Sequence, residues 1–354
     1  MEKVVVGLSG GVDSAVTAYL LKKQGYEVIG VTMQIPKEGN SEKKENGYNS
    51  DILDANKIAE QLGITNIVVD KRKQFDEIVI KYFIDSYNNG RTPNPCIKCN
   101  PMIKWNALLE VADRVGAKYV ATGHYANVEK LPNGRYSIST ADSVKKDQTY
   151  ALFRLSQEQL ARTLTPLGKY EKTEIRAIAK EAGIIVADKK DSQDMCFIPD
   201  GKYANYIRKR TGERATPGNI LLQDGTVVGR HKGIIFYTVG QRKGIKLDLG
   251  RKMFVKELRP ESDEVVISPI EGIYTTDVYA ADINYMGIES VPKNLRAFAK
   301  IRYSHEGGYC TANITEDGLL KCVFDQPQRA ITKGQGLVLY DEEGHILCGG
   351  EIVK

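Results

Sequence analysis

The sequence predicts an α/β protein with an N-terminal parallel sheet, a small mixed central domain and a C-terminal antiparallel β-barrel. Through the first two hundred residues, apolar strands alternate with helices, which is typical of a parallel sheet covered on both faces. After residue 200 short alternating strands with turn signals follow, and from about residue 275 nearly every segment has the pattern of a strand. We therefore expect domains at 1–200, 201–273 and 274–354.

The N-terminal domain begins with the predicted strand KVVVGL and the amphipathic helix SAVTAYLLKKQG, which ends at Gly25. A polar tract, 37–50, has the composition of a surface loop. The other elements predicted here are the strands YEVIGVTM, NIVVD and AKYVATG, and the helices DILDANKIAEQLG, 75–88 and 102–115.

The two later domains are marked by turn residues. The central domain opens with the predicted helix KYANYIRKRTG, and a DG pair at 224–225 predicts a turn between its strands. The sequences EDG at 316–318 and EEG at 342–344 predict turns between strands of the barrel.

Composition is that of an ordinary globular protein, with 354 residues of which 42% are hydrophobic and 27% charged. No apolar run has the length of a membrane span. The N-terminus, MEKVVVGLSGG, lacks the apolar core and the cleavage site of a signal peptide. We expect a cytoplasmic protein without a membrane partner.

Positive charge is concentrated in one segment. Residues 200–256 hold thirteen Lys or Arg against four Asp or Glu, whereas the whole chain has a net charge of +5. This uneven distribution predicts a polyanionic partner. On composition alone, a well-solvated basic surface is the alternative.

The six cysteines fall into two groups. Cys96 and Cys99 form a CxxC, and Cys196 follows about a hundred residues later. This set is compatible with a redox pair, a zinc site, an iron–sulfur site, or a nucleophile with a sulfur carrier. Zinc is the weakest of these, because no fourth ligand is obviously placed. The remaining cysteines lie in strand-like stretches and are expected to be packing residues: Cys310, Cys322 and Cys348.

A glycine-rich turn, SGGVDS, joins the first strand to the first helix, and it lacks the lysine of the Walker loop. Such a turn places backbone N–H groups and a helix N-terminus at the carboxyl edge of the sheet, where an anion is favoured. Gly10 and Gly11 allow close approach of phosphate oxygens, Ser9 and Ser14 offer hydroxyl groups, and Asp13 suits Mg²⁺ that bridges it to phosphate. For the glycines alone, a turn with a serine cap is the alternative.

This loop resembles the PP-loop of the ATP pyrophosphatases, which cleave ATP to AMP and pyrophosphate while they adenylate a substrate. Within that superfamily the chain resembles the tRNA-specific 2-thiouridylases over nearly its whole length. The motifs that carry the resemblance are GLSGGVDS, RTPNPCIKCN, ATGHYA, KKDQTYAL, KKDSQDMCFI, YTVGQRKGI and RYS. It implies an adenine nucleotide alpha hydrolase-like fold and an enzyme that replaces O2 of the wobble uridine of tRNA with sulfur.

The resemblance implies ATP and Mg²⁺ as cofactors. The uracil O2 would be adenylated with release of pyrophosphate, and AMP would then leave as sulfur attacks. The positions that match ATP contacts are Gly7, Leu8, Ser9, Gly10, Gly11, Val12, Asp13, Ser14, Met33 and Gly123.

The resemblance also implies a division of labour between two cysteines. Cys196 matches the cysteine that carries a persulfide received from an outside sulfur donor, a cysteine desulfurase or a relay protein. Cys99 matches the nucleophile, and its attack on that persulfide would leave a Cys99–Cys196 disulfide. Such a bridge needs Cα atoms within about 7 Å of each other.

The chain departs from the family's best-known pattern at Cys96. Asn94, Pro95 and Cys96 match positions at the target base, but many members have aspartate in place of Cys96, where it could act in acid–base catalysis. With Cys99 and Cys196, Cys96 resembles the cysteine set of related tRNA thiolases that hold a [4Fe–4S] cluster with one open iron. A persulfide relay and sulfide delivery through a cluster therefore both stay open.

Further positions match tRNA contacts of the family. From the residues alone, the alternatives are a polar loop at 146–148 and a histidine with a structural role at position 124. These positions are His124, Lys146, Asp147, Gln148, Arg302, Tyr303 and Gln335. In the basic segment, the side chains suited to the phosphate backbone are Lys202, Arg208, Lys209 and Arg210. The rival functions are another PP-loop synthetase with a small substrate and a non-catalytic RNA-binding protein.

Overall fold

The computed structural model describes residues 1–36, 50–189, 195–198, 201–212, 215–245 and 247–354. Within these ranges the predicted fold class is confirmed: a parallel sheet is followed by a mixed sheet and then by a closed antiparallel barrel. The loop expected at 37–50 lies outside the described residues, except for Ser50, which begins a helix.

The N-terminal part contains a five-stranded parallel sheet and a two-stranded antiparallel hairpin. The strands are β1 (Lys3–Gly7), β2 (Glu27–Gln34), β3 (Thr65–Asp70), β4 (Tyr119–Ala121), the hairpin β5 (Asn127–Lys130) with β6 (Tyr136–Ser139), and β7 (Thr163–Leu164). The sheet order is β3-β2-β1-β4-β7. The chain therefore winds outward from β1 in both directions, and the loops after β1 and β4 flank a crevice at the point where ligands bind in such sheets.

Helices cover this sheet and extend into the central part of the chain. They are α1 (Val12–Lys23), α2 (Ser50–Leu62), α3 (Arg72–Phe75), α4 (Lys81–Asn88), α5 (Cys96–Cys99), α6 (Asn106–Val115), α7 (Gln157–Ala161), α8 (Lys172–Glu181) and α9 (Tyr203–Thr211). Short 3₁₀ turns occur at Val144–Lys146, Thr149–Ala151, Pro166–Lys169, Ile234–Phe236, Pro260–Ser262 and Ile270–Ile273. None of the helices in the described ranges is both long enough and apolar enough to cross a membrane.

Two π-helical turns interrupt the helical segments beside the CxxC. Asp76–Ile80 joins α3 to α4, and Asn100–Trp105 joins α5 to α6. Pro101 lies in the second turn, where its missing N–H and its ring prevent the ordinary α-helical hydrogen bond. The widened turn changes the direction of the side chains that follow Cys99.

The central sheet has the order β10-β11-β8-β9 and the barrel the order β12-β15-β14-β13-β16-β17. Their strands are β8 (Gly218–Leu221), β9 (Val227–His231), β10 (Phe254–Arg259), β11 (Glu264–Ser268), β12 (Tyr274–Tyr285), β13 (Leu295–Lys300), β14 (Gly308–Ile314), β15 (Leu320–Arg329), β16 (Gly336–Tyr340) and β17 (Ile346–Ile352). The predicted barrel turns are present, since the N–H groups of Gly318 and Gly344 donate to the carbonyls of Thr315 and Asp341.

The hydrophobic cores are shared between the three sheets. One buried cluster joins Val5 and Val120 of the parallel sheet to Val338 of the barrel. A second joins Phe83 of α4 to Val255 of the central sheet. Burial of one such side chain stabilises the fold by roughly 1.5–3 kcal/mol, so these clusters hold the sheets against one another.

A charged cluster fastens the hairpin β5–β6 to the barrel. The Nε2 atom of His345 lies 3.0 Å from Oε2 of Glu129 on β5, and its Nδ1 atom lies 3.2 Å from Oδ2 of Asp341. The carboxylate of Glu343 lies 3.7 Å away. Burial lowers the pKa of His345, but the hydrogen bonds and charges of Glu129 and Asp341 outweigh burial and raise the pKa above its usual value.

We predict that His345→Gln destabilises the protein more at pH 6 than at pH 9, by on the order of 1 kcal/mol. The folded-state pKa is raised, so the stabilisation is complete below the unfolded pKa of about 6.5 and is lost as the pH rises through the folded pKa. Urea unfolding of wild type and variant at both pH values measures the difference. Equal destabilisation at both pH values would contradict the prediction.

Candidate functional site

The glycine-rich turn is held in shape by its own serines. Ser14 Oγ donates to the carbonyl of Gly11 at 3.0 Å and accepts the N–H of Ser9 at 3.1 Å. Gly10 has a φ of +74°, and a Cβ there would lie 2.5 Å from the carbonyl oxygen of Asp51. A side chain at Gly10 is therefore excluded by both conformation and space. The loop leads into α1, whose first N–H groups have no partner within the helix.

A second loop approaches the start of α1 at backbone distance. A Cβ at Gly123, just after β4, would lie 2.9 Å from the carbonyl carbon of Asp13 and 2.9 Å from the amide nitrogen of Ser14. Only glycine permits this approach. The two loops border a cavity of about 320 Å³.

The cavity brings together most of the residues predicted from the nucleotide motifs and both predicted catalytic cysteines. The predicted residues that line it are Gly7, Leu8, Ser9, Asp13, Ser14, Met33, Gly123, His124, Gln148, Cys99 and Cys196. Gly10, Gly11 and Val12 are not among its lining residues. The side chain of Val12 packs into an apolar cluster between α1 and α8 instead.

Two lysines from distant parts of the chain contact the loop, which has no lysine of its own. The Nζ atom of Lys172, at the start of α8, lies 2.7 and 2.8 Å from the carboxylate oxygens of Asp13. Tyr125 donates to the same carboxylate at 2.8 Å. Lys189 donates to the carbonyl of Gly10 at 3.0 Å and to Asp54 at 2.8 Å. No local sequence signal linked these lysines to the loop.

Asp13 was expected to hold Mg²⁺, and the structure gives its carboxylate protein partners instead. In the described part of the chain, no group of three or more His, Cys, Asp or Glu side chains is arranged to bind a metal ion. The three cysteines supply suitable donors for an iron–sulfur cluster, but as placed they do not form a ligand set for one. Mg²⁺ and the cluster both remain predictions.

Cys99 is buried at the end of α5 and is 7% exposed. It belongs to the apolar cluster that joins α4 to the central sheet. Burial raises the pKa of Cys99 to about 12, although the ammonium of Lys104 acts in the opposite direction. At neutral pH the thiol of Cys99 is therefore protonated in this resting arrangement.

Cys196 is exposed, and the residue after it anchors it at the cavity. Phe197 is fully buried and packs edge-on against Phe75 at 5.6 Å, Phe83 at 5.4 Å and Tyr206 at 5.6 Å between ring centroids. Cys196 is thus accessible from outside, while the packing of the next residue fixes its backbone. All six cysteines are thiols and none forms a disulfide in the structure.

Cys96 begins α5 and is exposed. The side-chain oxygen of Asn94 accepts the N–H of Cys96 at 3.1 Å, and the carbonyl of Pro95 accepts the N–H of Cys99 at 2.9 Å. Asn94 therefore orders the turn that starts α5, which is a structural role beside the predicted contact with the target base.

Lys104 and His124 lie side by side in the cavity, and only His124 was predicted. Burial and the neighbouring charge of Lys104 lower the pKa of His124 to about 3, so its imidazole is neutral. Its Nδ1 atom lies 2.9 Å from Oγ1 of Thr122, and its ring packs on Trp105. Burial lowers the pKa of Lys104, but the three cysteines around it outweigh this effect and raise the pKa.

The barrel holds the segment that leads to the CxxC. The N–H of Thr92 donates to the carbonyl of Lys333 at 2.9 Å, and Nε2 of Gln335 donates to the carbonyl of Thr92 at 2.7 Å. Thr92 also donates to Thr238 of the central part at 3.3 Å. Gln335, predicted as a tRNA contact, thus has an internal partner that sequence reasoning missed.

The other predicted tRNA residues have different surroundings. Tyr303 is 52% exposed, and burial together with the charge of Asp147 raises its pKa; its ring meets that of Tyr150 edge-on, with 6.5 Å between the ring centroids. Asp147 is buried, where it accepts the hydroxyl of Thr149 at 2.7 Å. Three further side chains are partly buried: Lys146, Gln148 and Arg302. The side chain of Gln148 accepts the N–H of Tyr125, and that of Arg302 donates to the carbonyl of Arg329.

The basic side chains of the central part are exposed on and before α9. Lys202 precedes the helix, and Arg208, Lys209 and Arg210 lie in its last turn. Arg210 forms a salt bridge with Asp76. Basic side chains are therefore exposed here as predicted, and the charge of Arg210 is partly neutralised.

Fold and site together define a PP-loop type of α/β protein in which a nucleotide loop and a pair of cysteines open onto one cavity. Family models match the chain in three stretches: a tRNA methyl transferase HUP domain over 2–200, a tRNA methyl transferase PRC-barrel domain over 204–269 and an aminomethyltransferase beta-barrel domain over 275–353. Because relatives called tRNA-specific 2-thiouridylase are 49% and 47% identical to the chain over nearly its whole length, the chain belongs to that family.

Full-length relatives support this assignment. The tRNA-specific 2-thiouridylase MnmA of Lachnoclostridium phytofermentans is 49% identical over 99% of both chains. That of Clostridium perfringens is 47% identical over 100% of this chain and 98% of its own.

A solved 4-thiouridine synthetase–RNA complex has 20% identity and a TM-score of 0.38 over 60% of this chain and 50% of its own.

We predict that iodoacetamide at pH 7.5 alkylates Cys96 and Cys196 at least about tenfold faster than Cys99. Cys99 is buried and has a pKa raised to about 12, so its rate should keep rising as the pH increases above 9. Mass spectrometry of peptides over time gives each rate, and the buried Cys348 serves as an internal control. Equal rates for Cys99 and Cys96 would show that Cys99 is accessible as a thiolate.

Proposed function

We propose that this protein is an ATP-dependent tRNA-uridine 2-sulfurtransferase that acts on the wobble uridine. The observation that carries the proposal is the single cavity lined both by Ser9, Asp13 and Ser14 of the nucleotide loop and by Cys99 and Cys196. A substrate atom in this cavity is within reach of an activating phosphate and of a sulfur donor, which is the requirement for activation followed by substitution.

In the first step, the uracil O2 attacks the α-phosphorus of ATP and pyrophosphate leaves. The start of α1 and the loop glycines suit the phosphates, and Met33 at the end of β2 suits the adenine. The Mg²⁺ expected with ATP would add positive charge beside the phosphates. Asp13 would be its protein ligand, and the ion would replace Lys172 as the partner of this carboxylate. Oxygen bound to the adenylyl group is a far better leaving group than the carbonyl oxygen itself.

In the second step, sulfur replaces that oxygen and AMP leaves. Cys196 carries the sulfur as a persulfide, received from an outside donor that reaches its exposed side. Cys99 attacks the sulfur of Cys196, hydrosulfide departs toward C2 of the uracil, and a Cys99–Cys196 disulfide remains. A thiol reductant must then restore both cysteines.

The three parts of the chain support different tasks. We propose catalysis by residues 1–200, backbone binding by the basic part at 201–273 and contact near the anticodon by the barrel at 274–354. Tyr303 and Arg302 suit base stacking and phosphate contact, and Lys202, Arg208 and Lys209 suit the phosphate backbone. These roles imply tRNA as partner and a cytoplasmic location.

We predict that Cys99→Ala and Cys196→Ala each lower persulfide-driven thiolation of tRNA by about 10³-fold or more, whereas Cys96→Ala retains activity within about tenfold. Thiolated nucleoside formed from tRNA, ATP and a persulfide donor is the measurement. The competing mechanism, sulfide delivered through a [4Fe–4S] cluster on all three cysteines, predicts a different pattern. About four irons per anaerobically purified chain, lost together with activity in Cys96→Ala, would reject the relay.

A further inference from the structure

A cationic side chain, Lys104, lines the sulfur end of the cavity. It lies in the π-helical turn Asn100–Trp105 and shares the cavity wall with Cys99 and Cys196. The side chain is partly buried. Among the described residues, the neighbours that act electrostatically on its ammonium are Cys99, Cys96 and Cys196, and no carboxylate is one of them.

Lysines at the other end of the site are balanced by acids. Lys172 is paired with Asp13, and Lys189 is paired with Asp54. An ammonium group withdrawn from water without a counter-charge is costly unless an anion compensates it. Among the described residues no acid is paired with Lys104 in this way, so its ammonium is placed to take an anion that the reaction supplies, at the end of the cavity where the cysteines lie.

We propose that Lys104 binds the anionic sulfur of the reaction, either hydrosulfide or the terminal sulfur of a persulfide on Cys196. This inference rests on the proposed function and adds a binding residue to it. The phosphate end of the cavity is already served by the start of α1, whereas Lys104 is surrounded by thiols. Apolar side chains on the same wall, Ile103 and Leu108, suit a large and weakly hydrated anion such as hydrosulfide.

The step that Lys104 assists conserves atoms and charge. The sulfur of Cys99 attacks the inner sulfur of the ionised Cys196 persulfide, which forms the S–S bond between the two cysteines and breaks the bond to the outer sulfur. The proton of the Cys99 thiol passes to that outer sulfur. That sulfur leaves as hydrosulfide and is held by the ammonium. It then forms the C–S bond at C2 of the adenylated uracil as the C–O bond breaks, AMP departs with the oxygen, and the sulfur loses its proton.

The test compares Lys104→Met, Lys104→Arg and the control Lys98→Met in thiolation assays that use either sodium sulfide or a persulfide donor. Lys98 has the same charge and lies within the CxxC, but its ammonium is over the ring of Tyr82 at 5.3 Å and does not line the cavity. We expect Lys104→Met to raise the KM for hydrosulfide at least tenfold and to leave the KM for ATP within twofold. Lys104→Arg should recover part of the loss, and Lys98→Met should change neither constant by more than twofold.

Each alternative outcome is distinct. An unchanged KM for hydrosulfide in Lys104→Met overturns the proposal, and so does a raised KM for ATP, which would assign the ammonium to the phosphates. ATP binding and thermal unfolding of each variant exclude a folding defect, and Lys104→Gln serves as the second neutral variant if Lys104→Met is unstable. A wild-type protein that thiolates tRNA from neither sulfur source would overturn the proposed function itself.

Discussion

The backbone contact between Gly123 and the first turn of α1 is the constraint on which the site depends. A Cβ at Gly123 would lie only 2.9 Å from backbone atoms of Asp13 and Ser14. The two loops at the centre of the parallel sheet can therefore approach this closely only because residue 123 has no side chain. Their meeting closes one side of the cavity and sets the direction of α1. The nucleotide loop, His124 and the cysteines are then arranged around one space instead of on separate faces of the sheet.

Burial distinguishes the two predicted catalytic cysteines. Cys99 is enclosed by the cluster that also packs α4 on the central sheet, and its raised pKa protects it from adventitious chemistry in the resting protein. Cys196 is exposed at the surface, but the buried ring of Phe197 keeps it beside the cavity. Thr92, which precedes Cys99 in the chain, hydrogen-bonds to both the barrel and the central part. The segment that leads to Cys99 is therefore held by both of the parts that are proposed to hold the substrate.

Local sequence patterns predicted the architecture because the relevant signals are local. Apolar strands, the glycine turn and the DG and EDG turns each act within a few residues, and the structure has them where they were expected. The strand β7 has only two residues and was missed, since so short a strand has no periodicity. The lysines at the loop and the cavity were missed for a different reason: Lys172 and Lys189 reach Asp13 and Gly10 only through the folded chain. Likewise, nothing in the barrel sequence indicates that Gln335 bonds to Thr92, so a resemblance alone could not separate an internal contact from one to RNA.

The central claim is that uracil O2 is activated by the nucleotide and replaced by sulfur in the one cavity. It is tested most directly with an anticodon stem–loop that carries ¹⁸O at O2 of the wobble uridine, turned over once with ATP and a persulfide donor. Adenylation at O2 predicts that the label is recovered in the phosphate of AMP, in one-to-one ratio with the thiolated nucleoside. Thiolated product accompanied by unlabelled AMP would contradict the claim, because the oxygen would then have left by a route that does not pass through the nucleotide.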